Sequence, residues 1–279
     1  TGCCRTRWPR STRPELARRA RLDAELVRRG LARSREQAAE LVAAGLVKVA
    51  GTTATKPATA VEPATPLVVE QPAGESYASR GGHKLAGALD AFGYDPSGKR
   101  VLDAGASTGG FTDVLLRRGA AHVVAADVGY GQLAWSLQTD ERVTVLDRTN
   151  VRSLELAQIG EPVGLVVADL SFIPLGLVLP ALWGCCRPDA DLLPMVKPQF
   201  EVGKERLPAG GVVRDPELRA DAVRGVARQA AALGLGVRGV TASPLPGPSG
   251  NVEYFLWLAA DAPPLDEDLL AAAVADGPQ

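Results

Sequence analysis

Val101-Leu-Asp103-Ala-Gly105-Ala106-Ser107-Thr108-Gly109-Gly110-Phe111 is the stretch that decides how most of this chain folds. An apolar run ends on an acid, a glycine loop follows, and helix-spaced apolar residues continue to Arg118. The pattern predicts a strand, a tight loop and a helix over 111–118. Glycines in such a loop let the backbone approach a ligand closely. A nicotinamide loop carries G-x-G-x-x-G, whereas the spacing here is G-x-x-x-G-G. Taken alone, the loop fits a plain tight turn equally well.

The flanking sequence supplies context. Apolar runs at 122–127, 143–145, 163–169 and 190–196 alternate with helical stretches. A long helix is predicted over 216–233, and strands over 236–241 and 254–260 close the series. Near-continuous apolar strands alternating with helices indicate an α/β fold, a doubly wound and mostly parallel Rossmann-like sheet. Such sheets hold ligands at the carboxyl ends of their strands. Asp127 ends the second strand, where an acid can accept both hydroxyls of a ribose. Asp147 and Arg148 follow the third, within reach of a purine edge. Ribose- and purine-type contacts beside the glycine loop favour S-adenosylmethionine over a nicotinamide. The candidate cofactor residues are Gly105, Ala106, Ser107, Thr108, Gly109, Gly110, Phe111, Asp127, Asp147, Arg148 and Asp169.

A second set is scattered along the chain: Lys84, Asp169, Lys197 and Glu253. Asp169 and Lys197 each terminate an apolar strand, and Glu253 precedes the last one. Any one of them could be a solvated strand end. Three in different loops on one edge, with Lys84 ahead of the sheet, make a candidate catalytic group.

The N-terminal part has a different character. Residues 1–60 carry 13 Lys/Arg against 5 Asp/Glu, and the remainder 18 against 27, so a +8 segment precedes a −9 one within a net charge of −1. A compact basic unit suits a polyanionic partner. Leu22, Leu26, Ala38, Leu41 and Val42 predict two short helices, with Gly30 ending the first, Ser34 capping the second and Gly45 ending it. Short strands are expected at 47–49 and 67–69, with a turn at Gly51. Arg19, Arg21, Arg33, Arg35 and Lys56 are the candidate RNA-binding residues.

This unit, through Arg21-Leu-Asp23, the run from Gly30 to Arg35 and Gly45-Leu-Val-Lys-Val-Ala50-Gly51, resembles an S4 RNA-binding domain. Ala50 stands where the usual residue before the turn glycine is Asn. Together with Ser79-Arg-Gly-Gly-His-Lys84-Leu, the loop at 103–111, Ala168-Asp169-Leu-Ser-Phe-Ile173, Val196-Lys197-Pro-Gln-Phe-Glu201 and Gly250-Asn-Val-Glu253-Tyr-Phe255, the chain resembles the TlyA family. The resemblance covers about residues 18–260. It implies an S4 domain joined to an FtsJ/RrmJ-like methyltransferase that uses S-adenosylmethionine. It also implies ribose 2′-O-methylation of cytidines in 16S and 23S ribosomal RNA within ribosomal subunits, and a link to capreomycin sensitivity. Lys84, Asp169, Lys197 and Glu253 would then be the family's K-D-K-E catalytic set. One departure is Glu75-Ser-Tyr77-Ala78, which replaces a tryptophan-containing linker.

The expected organisation is a disordered lead-in at 1–17, the S4-like domain at 18–70 and a linker at 71–79. The methyltransferase domain follows at 80–265, with a C-terminal tail at 266–279. Adjacent cysteine pairs at 3–4 and 185–186, with only two histidines, offer no zinc set and fit a reducing cytoplasm. No apolar run is long enough for a spanning helix, so neither metal nor membrane is expected. Two rival readings are a pore-forming haemolysin and a non-catalytic RNA-binding assembly factor. Lysis by pure protein would favour the first. Absence of cofactor binding would favour the second.

Overall fold

The computed structural model describes residues 19–32, 34–69 and 77–278. The expected lead-in, Cys3 and Cys4, Arg33 and most of the linker lie outside these residues. The chain divides into two compact units, 1–76 and 77–279.

In the first unit, β1 (Ala20–Arg21) runs into α1 (Leu22–Arg28), and α2 (Arg35–Ala43) follows. Gly30 and Gly45, both at positive φ, end the two helices. Ser34 Oγ accepts the Gln37 N–H, which is the expected N-cap. Strands β2 (Val47–Val49), β3 (Thr52–Thr53) and β5 (Leu67–Val69) form one small antiparallel sheet, ordered β3-β2-β5. The strand β4 (Ala60–Val61) pairs with β1. Leu22, Leu26, Ala38, Val42 and Val47 are buried together between helices and strands.

The second unit opens on α3 (Arg80–Phe92), a helix the apolar periodicity of the strands did not announce. Then come β6 (Arg100–Ala104), α4 (Gly110–Arg117), β7 (His122–Ala126), α5 (Trp135–Gln138) and β8 (Val143–Leu146). Next are α6 (Leu156–Ile159), β9 (Val163–Ala168), α7 (Leu179–Gly184), β10 (Cys186–Val196) and α8 (Pro198–Glu201). Helix α9 (Pro216–Ala231), β11 (Gly236–Ala242), β12 (Tyr254–Ala259) and α10 (Glu267–Asp276) complete it. The seven strands lie in the order β11-β12-β10-β9-β6-β7-β8. From β10 to β8 all neighbours are parallel; β12 is antiparallel to both β10 and β11.

Strand side chains alternate between two buried faces, which is why these strands read as unbroken apolar runs. Val101, Val123, Leu165, Val167 and Leu193 pack under α3 and α4 with Leu85, Leu89 and Leu115. Leu102, Val124, Val166 and Leu192 pack on the other face with Leu179, Leu182, Val223 and Val226. Cys185 is wholly buried there, as a small core residue. The segment read as a tail contains α10, whose Leu270 and Ala273 are buried in the same core. Four alanines and a short apolar stripe gave that helix a weak signal in the sequence.

At the opposite edge from the strand carboxyl ends, Asp191 is buried and accepts Tyr94 OH (2.8 Å), Trp257 Nε1 (2.8 Å) and Lys99 Nζ (3.4 Å). Burial and the Asp191 charge push the Tyr94 hydroxyl well above its usual range. Asp191→Ala leaves two buried donors without an acceptor, and is expected to cost about 2–4 kcal/mol in urea unfolding. Asp191→Asn, which keeps one acceptor, should lose less than Ala; equal losses would mean that the acceptor retained by Asn contributes nothing.

The β2–β3 hairpin turns on Ala50 (φ +48°) and Gly51 (φ +84°), so both loop residues are in the left-handed region. Two positive φ values define a type I′ turn, which prefers Asn-Gly. Ala50 carries the steric cost of a Cβ there. Ala50→Asn is expected to stabilise the hairpin by about 0.5–1 kcal/mol. Slower hydrogen exchange at the Val47 to Thr53 amides is the measurement; unchanged protection would show that Ala50 is not strained.

Candidate active site

Three strand ends and one helix build the tetrad. Asp169 follows β9, and Lys197 follows its parallel neighbour β10. Because β12 runs antiparallel and Tyr254 pairs with Val196, the residue before β12 lies at this same edge. That residue is Glu253. Helix α3 brings Lys84, and the position of a Cβ on Gly81 would lie 3.8 Å from Asp169 Oδ2, so the first turn of α3 adjoins Asp169. All four members of the candidate tetrad therefore converge, including Lys84, which sits on a helix and not in the lead-in to the sheet.

They form two ion pairs. Lys84 Nζ donates to Glu253 Oε2 at 2.5 Å, and Lys197 Nζ lies 2.5 Å from Asp169 Oδ1. Lys84, Lys197 and Glu253 are 7%, 8% and 1% exposed. Lys197 also donates to Ser171 Oγ at 3.0 Å. An ammonium has three N–H donors, so Asp169 and Ser171 leave one for a further acceptor. Ser171 was not among the candidates: a lone serine two residues past an acid carries no pattern of its own.

The glycine loop lies beside this group. Asp127, at the end of β7, accepts the Ser107 N–H (2.9 Å) and the Gly129 N–H (2.7 Å). Asp147 accepts the Gly131 N–H (3.0 Å), and Arg148 lies over the Tyr130 ring at 4.4 Å. The ends of β6, β7 and β8 are thus tied into one rim, and each carboxylate oxygen keeps a lone pair for a ligand hydroxyl. Two of the loop glycines answer to the protein's own packing as well as to any ligand. A Cβ on Gly105 would stand 2.5 Å from the Asp169 carbonyl oxygen, and one on Gly110 would strike Ser79 Oγ. The Phe111 side chain is buried against Phe255, ring centroids 5.9 Å apart, so only its backbone N–H, in the first turn of α4, faces the loop. The Ala106 side chain is likewise buried in that core, leaving only its backbone to the loop.

Asp103, quoted in the motif but not assigned, is wholly buried. Its Oδ2 accepts Thr112 Oγ1 (2.6 Å), while Oδ1 has no partner among the described residues. Burial pushes its carboxyl up to about 7, opposed by the Thr112 bond and aided by Asp169 and Asp127. A buried acceptor at the floor of a glycine loop, beneath two further acids, fits a cofactor with a cationic group and a ribose. No group of three or more residues able to hold a metal occurs among the described residues.

Exposed aromatic residues stand around the same edge: Tyr130, Trp135 and Phe172, the last 89% exposed at φ +65°. Sequence patterning gave no warning of them, since single aromatics in loops are ordinary.

In the N-terminal unit, Arg21 and Arg35 converge on buried Asp23. Arg21 binds it through Nε (3.1 Å) and Nη2 (2.8 Å), and Arg35 through Nη2 (3.0 Å). These contacts hold the Asp23 carboxyl well below the usual range, against the effect of burial. The Asp23 N–H donates to the Pro57 carbonyl, so the loop carrying exposed Lys56 lies alongside. Arg19 stands with Glu62 at 3.3 Å, both exposed.

Comparison with known proteins agrees with this geometry. The FtsJ-like methyltransferase family matches residues 77–260, and the S4 domain matches 20–65. The chain is similar to the 16S/23S rRNA (cytidine-2′-O)-methyltransferase TlyA of Mycobacterium tuberculosis, 63% identical over 94% of this chain and 100% of that one. It is also 34% identical to Hemolysin A of Brachyspira hyodysenteriae, over 84% of this chain and 97% of the relative. Among solved structures, a hemolysin from Streptococcus thermophilus superposes with a TM-score of 0.75 at 36% identity, covering 93% of this chain and 95% of the other. A seven-stranded sheet with its glycine loop and paired lysines, preceded by a basic S4 domain, places this chain in the TlyA family of FtsJ-like, S-adenosylmethionine-dependent methyltransferases.

Proposed function

We propose that this chain methylates the ribose 2′-hydroxyl of cytidines in 16S ribosomal RNA, 23S ribosomal RNA or both, within ribosomal subunits. The observation that carries the reading is the Lys197 ammonium, buried and held by Asp169 and Ser171, with one N–H unused beside the glycine loop. S-adenosylmethionine supplies the methyl group from its sulfonium. Gly105 to Gly110, Asp127, Asp147, Arg148 and Asp169 would hold it, the acids taking the ribose hydroxyls and the cationic end. Methyl transfer in line needs the two reacting atoms about 3–3.5 Å apart. The tetrad sits where the target hydroxyl has to arrive. Either Lys197 takes the hydroxyl proton, or it remains an ammonium and stabilises the oxygen as negative charge develops. Lys84 and Glu253 pair with each other and keep the second buried charge from disturbing the first. The exposed rings of Tyr130, Trp135 and Phe172 suit a substrate whose bases can leave their stack. The hemolysin name that some relatives bear accounts for none of these features. No helix among the described residues is long and apolar enough to cross a membrane.

Docking falls to the S4 unit in this reading. Arg19, Arg21, Arg33, Arg35 and Lys56 supply phosphate contacts, and Asp23 holds two of the guanidinium groups side by side. Offering each purified ribosomal subunit separately with labelled cofactor distinguishes one subunit from both as substrate.

Lys197→Ala is expected to lower single-turnover methylation by at least about 100-fold while sparing cofactor affinity in calorimetry. Lys197→Arg keeps the charge but cannot serve as a base, so substantial activity in Arg points to charge stabilisation. A near-normal rate for Ala would sink the tetrad assignment.

Deleting residues 1–76 is expected to leave a folded methyltransferase unit that modifies ribosomal subunits poorly. The cut belongs at 76 because Tyr77 stacks edge-on against His83 and the Ala78 N–H binds Asp113. Full-length affinity should fall by roughly 0.7–0.9 log units per log unit of salt for each phosphate neutralised. A truncated protein as fast as the intact one would show that the basic unit is not the docking element.

A further inference from the structure

The loop after β9 and the short helix α8 after β10 touch at four points. Two belong to Lys197, which binds Asp169 and Ser171. The third is Phe200, whose ring lies 5.1 Å from that of Phe172. The fourth is Glu201, four residues beyond Lys197, whose Oε1 accepts the Leu175 N–H at 2.8 Å. Leu175 opens a 3-10 turn, Leu175–Leu177, preceded by Pro174, which has no side-chain acceptor to cap it. Glu201 supplies that acceptor from another element.

Keeping a carboxyl here is costly. Burial pushes Glu201 up to about 7, with only the Leu175 N–H pulling it back. No ion pair to it occurs among the described residues. Packing alone would be served by an uncharged side chain of the same size, so the acceptor is what the position retains. The loop it holds is also under strain: Phe172 is a bulky residue at φ +65°. Such a conformation persists only where the surroundings over-determine it. A lysine nitrogen, on a flexible four-carbon stem, stands where its partners stand. Both partners of Lys197 are in this loop.

We propose that Glu201 is a positioning residue for methyl transfer: by clasping Leu175 it fixes the loop that carries Asp169 and Ser171, and thereby the place of the Lys197 nitrogen. This rests on the reading of Lys197 given above. Among the described residues no hydrogen bond or ion pair joins Glu201 to the glycine loop, and in this proposal it acts through the 169–175 segment.

The test is single-turnover methylation of purified ribosomal subunits by the full-length chain, with calorimetric cofactor titration and thermal unfolding in parallel. Glu201→Ala is expected to slow the step about 10- to 100-fold, the scale of a displacement near 1 Å. Cofactor affinity and the KM for subunits should stay within about threefold. Glu201→Gln keeps an acceptor and should restore the rate to within about threefold of the parent. If Ala unfolds, Glu201→Leu fills the space without an acceptor and takes its place. Ser171→Ala combined with Glu201→Ala should slow the step by less than the product of the single losses, because both act on one nitrogen. A rate for Ala near the parent's, multiplicative losses in the double variant, or a parallel loss of cofactor affinity would each overturn the proposal. Hydrogen exchange at the Leu175 amide, faster in Ala and unchanged in Gln, reads the clasp without RNA. A parent protein that fails to methylate subunits would overturn the function, while this exchange arm would still decide the clasp.

Discussion

Two lysine ammonium groups and a glutamate, each less than a tenth exposed, stand at one edge of a hydrophobic sheet. Removing a charge from water costs several kcal/mol unless a partner of opposite sign and further hydrogen bonds are in place. Lys197 has both in Asp169 and Ser171, and Lys84 has its counter-charge in Glu253. The partners come from a helix ahead of the sheet, from two parallel strands and from an antiparallel one. Truncating one partner of a buried pair leaves the other uncompensated, typically at about 3–5 kcal/mol. The site and the stability of that edge are therefore coupled.

The reversed strand β12 is what makes this arrangement possible. In an all-parallel sheet, the residue preceding a strand lies at the edge away from ligands. Running β12 antiparallel between β10 and β11 brings its leading residue, Glu253, to the ligand edge beside Lys197. Gly247 lies close enough that a Cβ there would stand 2.7 Å from Glu253 Oε1, so the connecting loop closes over that carboxylate. The edge away from the ligand has its own buried acid, Asp191, satisfied by Tyr94, Trp257 and Lys99. One edge pairs charges and leaves a Lys197 N–H for a further acceptor; the other fastens the connection between α3 and β6, and β12, to β10.

The glycine loop shows how one residue type serves two demands. Gly105 and Gly110 admit neighbouring protein atoms, the Asp169 carbonyl and Ser79 Oγ. The loop's shape is thus set by the same segments that carry the tetrad. In the S4 unit the economy is similar: Asp23 lowers the net charge by one and in return holds Arg21 and Arg35 together. A rigid pair of guanidinium groups loses less entropy on meeting phosphate than two free side chains.

The order of the strands along the chain, the glycine loop and the acids at strand ends were legible in the sequence, because unbroken apolar runs and glycine spacing are local properties of the chain. The two helices of the S4 unit were legible for the same reason, down to the Ser34 cap. So was the list Lys84, Asp169, Lys197 and Glu253, through family resemblance, though not how it divides into pairs. The antiparallel insertion of β12, the partnership of each lysine and the role of Ser171 depended on which segments meet across some 170 residues between Lys84 and Glu253. The burial of Phe111 and the packing of α10 had the same origin. An apolar residue reads alike whether it faces a ligand or a neighbouring strand, and a charged one alike whether its partner is water or a buried ion. Only the tertiary structure supplies the neighbour, and the neighbour decides the chemistry.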